Sequence, residues 1–244
     1  MAATLIPLFV AGLLCWFLSS IAAGGGAVLF LPMARLVLEP QDVPPAIAVA
    51  SIISSAHRSF LYRRNVVLRI WAANVPGLLA GTLLGALLLK NLQADWLGYL
   101  VGGFLVFLAL RHFAGGEPRF RNLTPLHFAG MSFVTASLST VVGVAGPLMN
   151  PLYVGGGILK EAMIGTKAAS TIFMQAGKLV AFAGLGLLGP EILILGSVIG
   201  VGALLGNWLG RYALASLTSA RFTHYVYAAL LLSGLATLVR TATG

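Results

Sequence analysis

Apolar residues run through this chain in ten stretches, at about residues 4–22, 27–38, 43–60, 66–89, 94–112, 124–142, 147–158, 161–184, 191–212 and 221–240. A membrane-crossing helix needs roughly 20 predominantly apolar residues, so the chain has room for seven or eight spans and almost nothing outside them. Two stretches, 27–38 and 147–158, are too short to cross alone. Each would form about 18 Å of helix at ~1.5 Å per residue, against a hydrocarbon core of roughly 30 Å. Both follow a glycine-containing break, Ala22-Ala-Gly-Gly-Gly-Ala-Val-Leu-Phe-Leu-Pro32 and Val141-Val-Gly-Val-Ala-Gly-Pro-Leu-Met-Asn-Pro151. They are expected to be half-helices or re-entrant pieces.

The two breaks belong to a weak internal repeat. A shift of 119 residues lays Gly24 on Gly143, Pro32 on Pro151, Asp42 on Glu161 and Ser51 on Ser170. A shift of 121 then lays Gly81-x-x-x-Gly85 on Gly202-x-x-x-Gly206 and Lys90 on Arg211. Such internal symmetry marks many secondary transporters. The expected architecture is an all-α membrane protein, a polytopic helical transporter with two related repeats, each containing a glycine-broken or re-entrant helix. The boundaries are 1–115 for the first repeat, 116–123 for the inter-repeat loop and 124–244 for the second. If each broken segment turns back to its starting side, the repeats are inverted; Arg35, Lys90, Lys178 and Arg240 fall outside and the other eleven basic residues inside. If each crosses, the repeats are parallel and the split is nine to six. The positive-inside bias favours the inverted repeat.

Composition agrees with a bilayer. The 244 residues are 59% hydrophobic and 9% charged, against about 25% charged in ordinary soluble domains. The net charge of +9 is spread singly over segment ends and short loops, as membrane topology requires, which argues for no nucleic acid partner. The compact basic group Arg58, Arg63, Arg64 and Arg69 is assigned to loop anchoring and phospholipid contact. Cys15 alone excludes an intrachain disulfide. The first apolar run lacks a basic n-region and is expected to be retained rather than cleaved.

The six acids, Glu39, Asp42, Asp95, Glu117, Glu161 and Glu191, all fall at segment ends or in loops. A cation carrier would want a carboxylate at membrane depth, and none is evident. Basic residues do lie at depth. Lys167 and Lys178 are eleven positions apart, about three turns, on one helix face. An ammonium mid-helix costs roughly 2.5–3.5 kcal/mol on insertion scales, so it should face protein, water or an anion. Snorkelling to the interface is the alternative. Two polar stripes accompany them: Ser51, Ser54, Ser55 and Arg58 in one half, with His57 beside them, and Thr166, Ser170, Thr171, Gln175 and Lys178 in the other. Such stripes either glue helices or offer hydroxyl donors to an anion. The breaks add Gly24, Gly25, Gly26, Gly143, Gly146 and Asn150, where helix starts at Ala27 and Pro147 would present free amides and the positive ends of helix dipoles. Bland glycine packing is the alternative there. Packing alone is expected for Gly81/Gly85 and Gly202/Gly206.

The chain resembles the sulfite exporter TauE/SafE family through Ala23-Gly-Gly-Gly-Ala-Val-Leu-Phe-Leu-Pro32, Pro44–Ser55, Tyr62-Arg-Arg-Asn-Val66, the glycines at 77, 81 and 85, and Lys160-Glu-Ala-Met-Ile-Gly-Thr166. The second glycine turn, Gly143-Val-Ala-Gly146, departs from the family's Gly-x-Gly-Gly-Gly. The resemblance implies an integral inner-membrane permease for sulfite, organosulfonates or other small organic anions, often outward. The residues themselves support an anion over a cation, carried by alternating access; an anion channel or a proton-coupled organic-anion importer, with His57 as proton carrier, stands as the alternative. His57, His112, His127 and His224 show no metal-ligand spacing, and neither Gly-x-Ser-x-Gly nor His-Glu-x-x-His occurs. No enzyme, metal or cofactor is expected. The partners so implied are a small anionic substrate, the lipid bilayer and, left open, a homo-oligomer; a scaffold subunit is the remaining rival.

Overall fold

The computed structural model describes residues 2–23, 26–34, 38–39, 42–89, 95–115, 123–142, 146–184 and 186–243. Among them every regular element is helical: α1 (Ala2–Ile21), α2 (Gly26–Ala34), α3 (Val43–Leu61), α4 (Leu68–Leu89), α5 (Asp95–Phe113), α6 (Pro125–Val142), α7 (Asn150–Gly155), α8 (Lys160–Gly184), α9 (Pro190–Ser216) and α10 (Ser219–Thr243). Two 3-10 turns lie at Arg63–Asn65 and Gly146–Met149. The helices follow the ten apolar stretches. Four are opened by a first-turn proline, at α3, α6, α7 and α9, where the missing N–H would have had no intrahelical acceptor anyway. Leu68–Leu88, Pro190–Ser216 and Ser219–Val239 are long and apolar enough to cross a membrane, and Leu5–Ile21 and Gly98–Phe113 are shorter apolar helices.

The short helices fold back on their predecessors. Along α1 and α2, Gly26 sits against Ser19, the Trp16 and Phe30 rings meet edge-on at 5.9 Å, and Cys15 Sγ lies 3.8 Å from Met33 Sδ. Rising numbers on α2 thus meet falling numbers on α1. The same register recurs later: Ser132 Oγ lies 3.7 Å from Met149 Sδ, and the Phe128 and Tyr153 rings meet at 5.3 Å.

The main packing pairs are α1 with α9, α4 with α6, α3 with α9, α4 with α8, α3 with α8, and α5 with α10. Exchanging α1–α5 for α6–α10 returns the same set. Both pairings of α9 on α1 and α4 on α6 depend on close backbone approach. A Cβ at Gly202 or Gly206 would run into the carbonyls of Phe9 and Leu13, and one at Gly81 or Gly85 into those of Phe133 and Ser137. The expectation that these glycines serve packing is met, since only hydrogen fits between the backbones.

One apolar core, with Leu8, Trp16, Phe30 and Ile199, fills the space among α1, α2, α3 and α9. A second, with Phe128, Tyr153, Met163 and Phe222, joins α6, α7, α8 and α10. Large apolar side chains also point outward, including Ile6, Leu83, Leu87, Leu126, Val180 and Val239. A surface of that kind suits hydrocarbon rather than water, and the chain is an integral membrane protein.

Candidate functional site

Within this apolar body the polar groups gather around two buried amides. Asn207 of α9 takes Arg58 Nε at 2.6 Å and Ser20 Oγ at 3.2 Å on its Oδ1, and donates from Nδ2 to Ser54 Oγ at 2.9 Å. It therefore ties α9 to α1 and α3. Asn74 of α4 accepts from Ser132 Oγ at 2.8 Å and donates from Nδ2 to Tyr153 Oη at 2.7 Å and Ser170 Oγ at 3.3 Å. This second hub ties α4 to α6 and α8, the partners that helix exchange assigns it, and to α7 as well. In a bilayer such bonds are worth about 0.6 kcal/mol on average and up to ~1.7, so these hubs are placed where an unpaired amide would otherwise be costly.

Positive charge gathers at the end of α1. Arg58 Nη2 donates to the Trp16 carbonyl at 3.0 Å and to Ser20 Oγ at 3.2 Å. Its assignment to loop anchoring is corrected here: the guanidinium turns inward because α1 and Asn207 offer it acceptors that solvent-facing residues would not. Three residues beyond Ser20, Ala23 adopts a left-handed conformation, φ 54°, and its carbonyl accepts from Lys167 Nζ at 2.8 Å. The same ammonium bonds Asn150 Oδ1 at the start of α7. One side chain therefore holds both chain interruptions together. Arg58 and Lys167 are both half-buried, and they rest on the Trp16 and Ala23 carbonyls, toward and just past the C-terminal end of α1, where cations are favoured.

Donors outnumber acceptors around these charges. An ammonium has three N–H groups and Lys167 uses two. Asn150 is 1% exposed, and its Nδ2 is buried with no partner among the described residues. Every hydrogen bond described for Arg58 leaves from Nε or Nη2, and among the described residues Nη1 is given no partner. Among the described residues no Asp or Glu is buried, and the one ion pair of Glu161 is with Lys160, at 4.0 Å. The arrangement suits an acceptor-rich anion.

Lys178 is 8% exposed and donates to the Ser139 carbonyl and Oγ, both at 3.0 Å. It faces α6 and stands apart from the Lys167 contacts, although sequence spacing puts the two on one face. Ser139 is the residue that the 119 shift lays on Ser20, so Lys178 grips α6 as Arg58 grips α1.

The other anticipated residues divide. Thr166 is fully buried and its Oγ1 accepts from the Val67 amide at 2.9 Å, tying α8 to the start of α4. Ser170 also donates to the Thr166 carbonyl at 2.8 Å. Ser51 and Ser55 are buried on α3, and Thr171 is half-buried on α8. Gln175 is buried with its Oε1 unpartnered, and the buried Nδ1 of half-buried His57 likewise has no partner among the described residues. Gly26 opens α2 and Gly146 opens the second 3-10 turn. Gly24, Gly25 and Gly143 lie outside the described residues, as do Val144 and Ala145. Sequence reasoning passed over Asn74, Asn207, Ser20 and Ser139. An asparagine inside a long apolar helix is itself the signal that finds the first two.

No curated protein and no solved structure matches the chain. The model of the sulfite exporter TauE/SafE family matches residues 8–237. That match spans nearly the whole chain and every helix that builds the cationic cluster, and the protein belongs to the sulfite exporter TauE/SafE family of membrane transporters.

Proposed function

We propose that the protein exports a small anion, sulfite or a related sulfur-containing or organic anion, across the bacterial-type inner membrane, so that the substrate leaves a negative interior. One observation carries this reading: Arg58 and Lys167 both bond carbonyls toward the C-terminal end of α1, with no buried carboxylate among the described residues, and Lys167 also holds Asn150, whose Nδ2 has no partner among them. The anion would take the open donors of these three side chains. Outward movement releases ~2.3 kcal/mol per charge per 100 mV, so no coupling ion is required.

The helix pairing that survives exchange of α1–α5 for α6–α10 supports two repeats, and the hairpin register of α1–α2 and of α6–α7 supports a re-entrant turn in each. With each turn returning to its starting side, the repeats are inverted. Alternating access would move one repeat against the other, with Lys167 bridging the two interruptions in the state described.

Proteoliposomes loaded with radiolabelled sulfite, with an interior-negative potential imposed by potassium and valinomycin, test the proposal. Sulfite efflux should exceed that of labelled sodium and rise with the potential. An ammonium about 4 Å from the anion contributes ~4 kcal/mol at an effective dielectric of 20. If its own desolvation offsets half, Lys167→Met weakens sulfite binding about thirtyfold. Preferred sodium flux, or an unchanged sulfite affinity in folded Lys167→Met, overturns the proposal. Flux that requires a proton gradient and disappears in His57→Ala would instead support the proton-coupled importer.

A further inference from the structure

The inward turn of Arg58 leaves the rest of the basic group with a different geometry. After α3 the chain makes the 3-10 turn Arg63–Asn65, held by the Asn65 amide on the Tyr62 carbonyl at 2.9 Å and, just beyond it, by the Val67 amide on Thr166. Its two arginines are thus presented from a fixed turn. Arg211, from the last part of α9, joins them around a cavity of about 360 Å³ lined by Phe60, Leu61, Arg63, Arg64, Asn65 and Arg211. Arg69, the fourth basic residue of the group, is not in the lining.

Three features define what fits. The lining holds three guanidinium groups and no carboxylate, and among the described residues none of the three pairs with an acid. Planar guanidinium forks match phosphate oxygens in pairs. One wall is apolar: Phe60 is 66% exposed, and the Arg63 guanidinium lies 4.5 Å from its ring centroid. A free inorganic ion has no use for that wall, whereas a lipid places its phosphate and its acyl chain side by side. We infer that this cavity binds the phosphate of an anionic phospholipid head group, with the proximal acyl chain against Phe60. Basic pockets between helices on the inner face of membrane proteins take such head groups. The site does not depend on the transport proposal.

The test uses the full chain in nonionic detergent, titrated separately with phosphatidylglycerol, phosphatidylcholine and inorganic phosphate, and read by native mass spectrometry and thermal melting. Phosphatidylglycerol should bind and raise the melting temperature while the other two do not. Arg64→Gln combined with Arg211→Gln should weaken phosphatidylglycerol binding about tenfold or more, and Arg69→Gln should leave it unchanged. If the paired variant does not fold, either single substitution at these exposed positions makes the same comparison, with about a threefold loss. Phosphatidylglycerol binding that survives both arginine substitutions overturns the inference. An equal shift with inorganic phosphate identifies a free-anion site, and equal binding of phosphatidylcholine identifies an acyl-chain site; either result overturns the assignment.

Discussion

Replacing Asn207 by leucine removes a single buried amide that three side chains use at once. Leucine has nearly the same volume, so the loss is one of hydrogen bonds rather than of packing. Arg58 Nε at 2.6 Å, Ser20 Oγ at 3.2 Å and Ser54 Oγ at 2.9 Å each lose this contact, and Ser20 keeps its bonds to the Trp16 carbonyl and Arg58. The bond to the guanidinium is charge-assisted, worth ~1.5 kcal/mol or more, and each neutral bond contributes about 0.6 kcal/mol in a membrane protein. The expected destabilisation is ~3 kcal/mol, a roughly hundredfold fall in the folded-to-unfolded ratio. Reversible unfolding in mixed micelles of detergent and dodecyl sulfate measures it. The sharper readout is a double-mutant cycle with Arg58→Met, whose coupling to Asn207→Leu should be about 1.5 kcal/mol. Asn74→Leu, removing the other hub, should destabilise to a similar degree and show no coupling to Arg58→Met. If Asn207→Leu and Arg58→Met are additive within ~0.5 kcal/mol, Asn207 does not hold the guanidinium and the account of the cationic cluster loses its support.

Gly206→Val should abolish folding or cost more than ~4 kcal/mol, because the Leu13 carbonyl occupies the place of the new Cβ, whereas Gly103→Ala, with open space around it, should be neutral or slightly stabilising; the same unfolding assay compares them. Thr166→Val should cost about 1–3 kcal/mol and speed hydrogen exchange at the Val67 amide, which loses its acceptor while remaining partly buried. Lys178→Met should leave the melting temperature unchanged or raise it, since it replaces a buried ammonium that has no acid partner among the described residues by an apolar chain of similar size. A fall of more than a few degrees would show that the Ser139 contacts more than offset the cost of burying the charge.

Helix positions were legible in the sequence because hydrocarbon imposes a single rule on long stretches: apolar side chains outside, backbone hydrogen bonds satisfied within. The short stretches after Gly24–Gly26 and Gly143–Gly146 could be recognised by length alone. Which helix faces which was not legible, since lipid-facing leucines and buried leucines look alike in one dimension. The glycine pairs at 81/85 and 202/206 announced close contacts without naming the partners, which lie on α6 and α1. In the candidate site, Lys167 stood out in the sequence by the cost of burying an ammonium, and Asn150 by its place after the second glycine break. Arg58 was not, because an arginine at a helix end beside Arg63 and Arg64 has the same sequence environment whether it reaches into headgroups or turns inward. Only the positions of Asn207, Ser20 and the Trp16 carbonyl decide the matter.

The packing of α9 against α1 has a consequence for how the molecule is made. Gly202 and Gly206 complete the seat of Phe9 and Leu13, yet they leave the ribosome some 190 residues later. At about 5–20 residues per second, that is a delay of about 10–40 s. Throughout that interval the face of α1 built for a glycine backbone has only lipid, the insertion machinery or α2 to lie against. Membrane insertion of the early helices and assembly of the finished bundle are therefore separate events in time, and α9 is the segment whose arrival closes the first core.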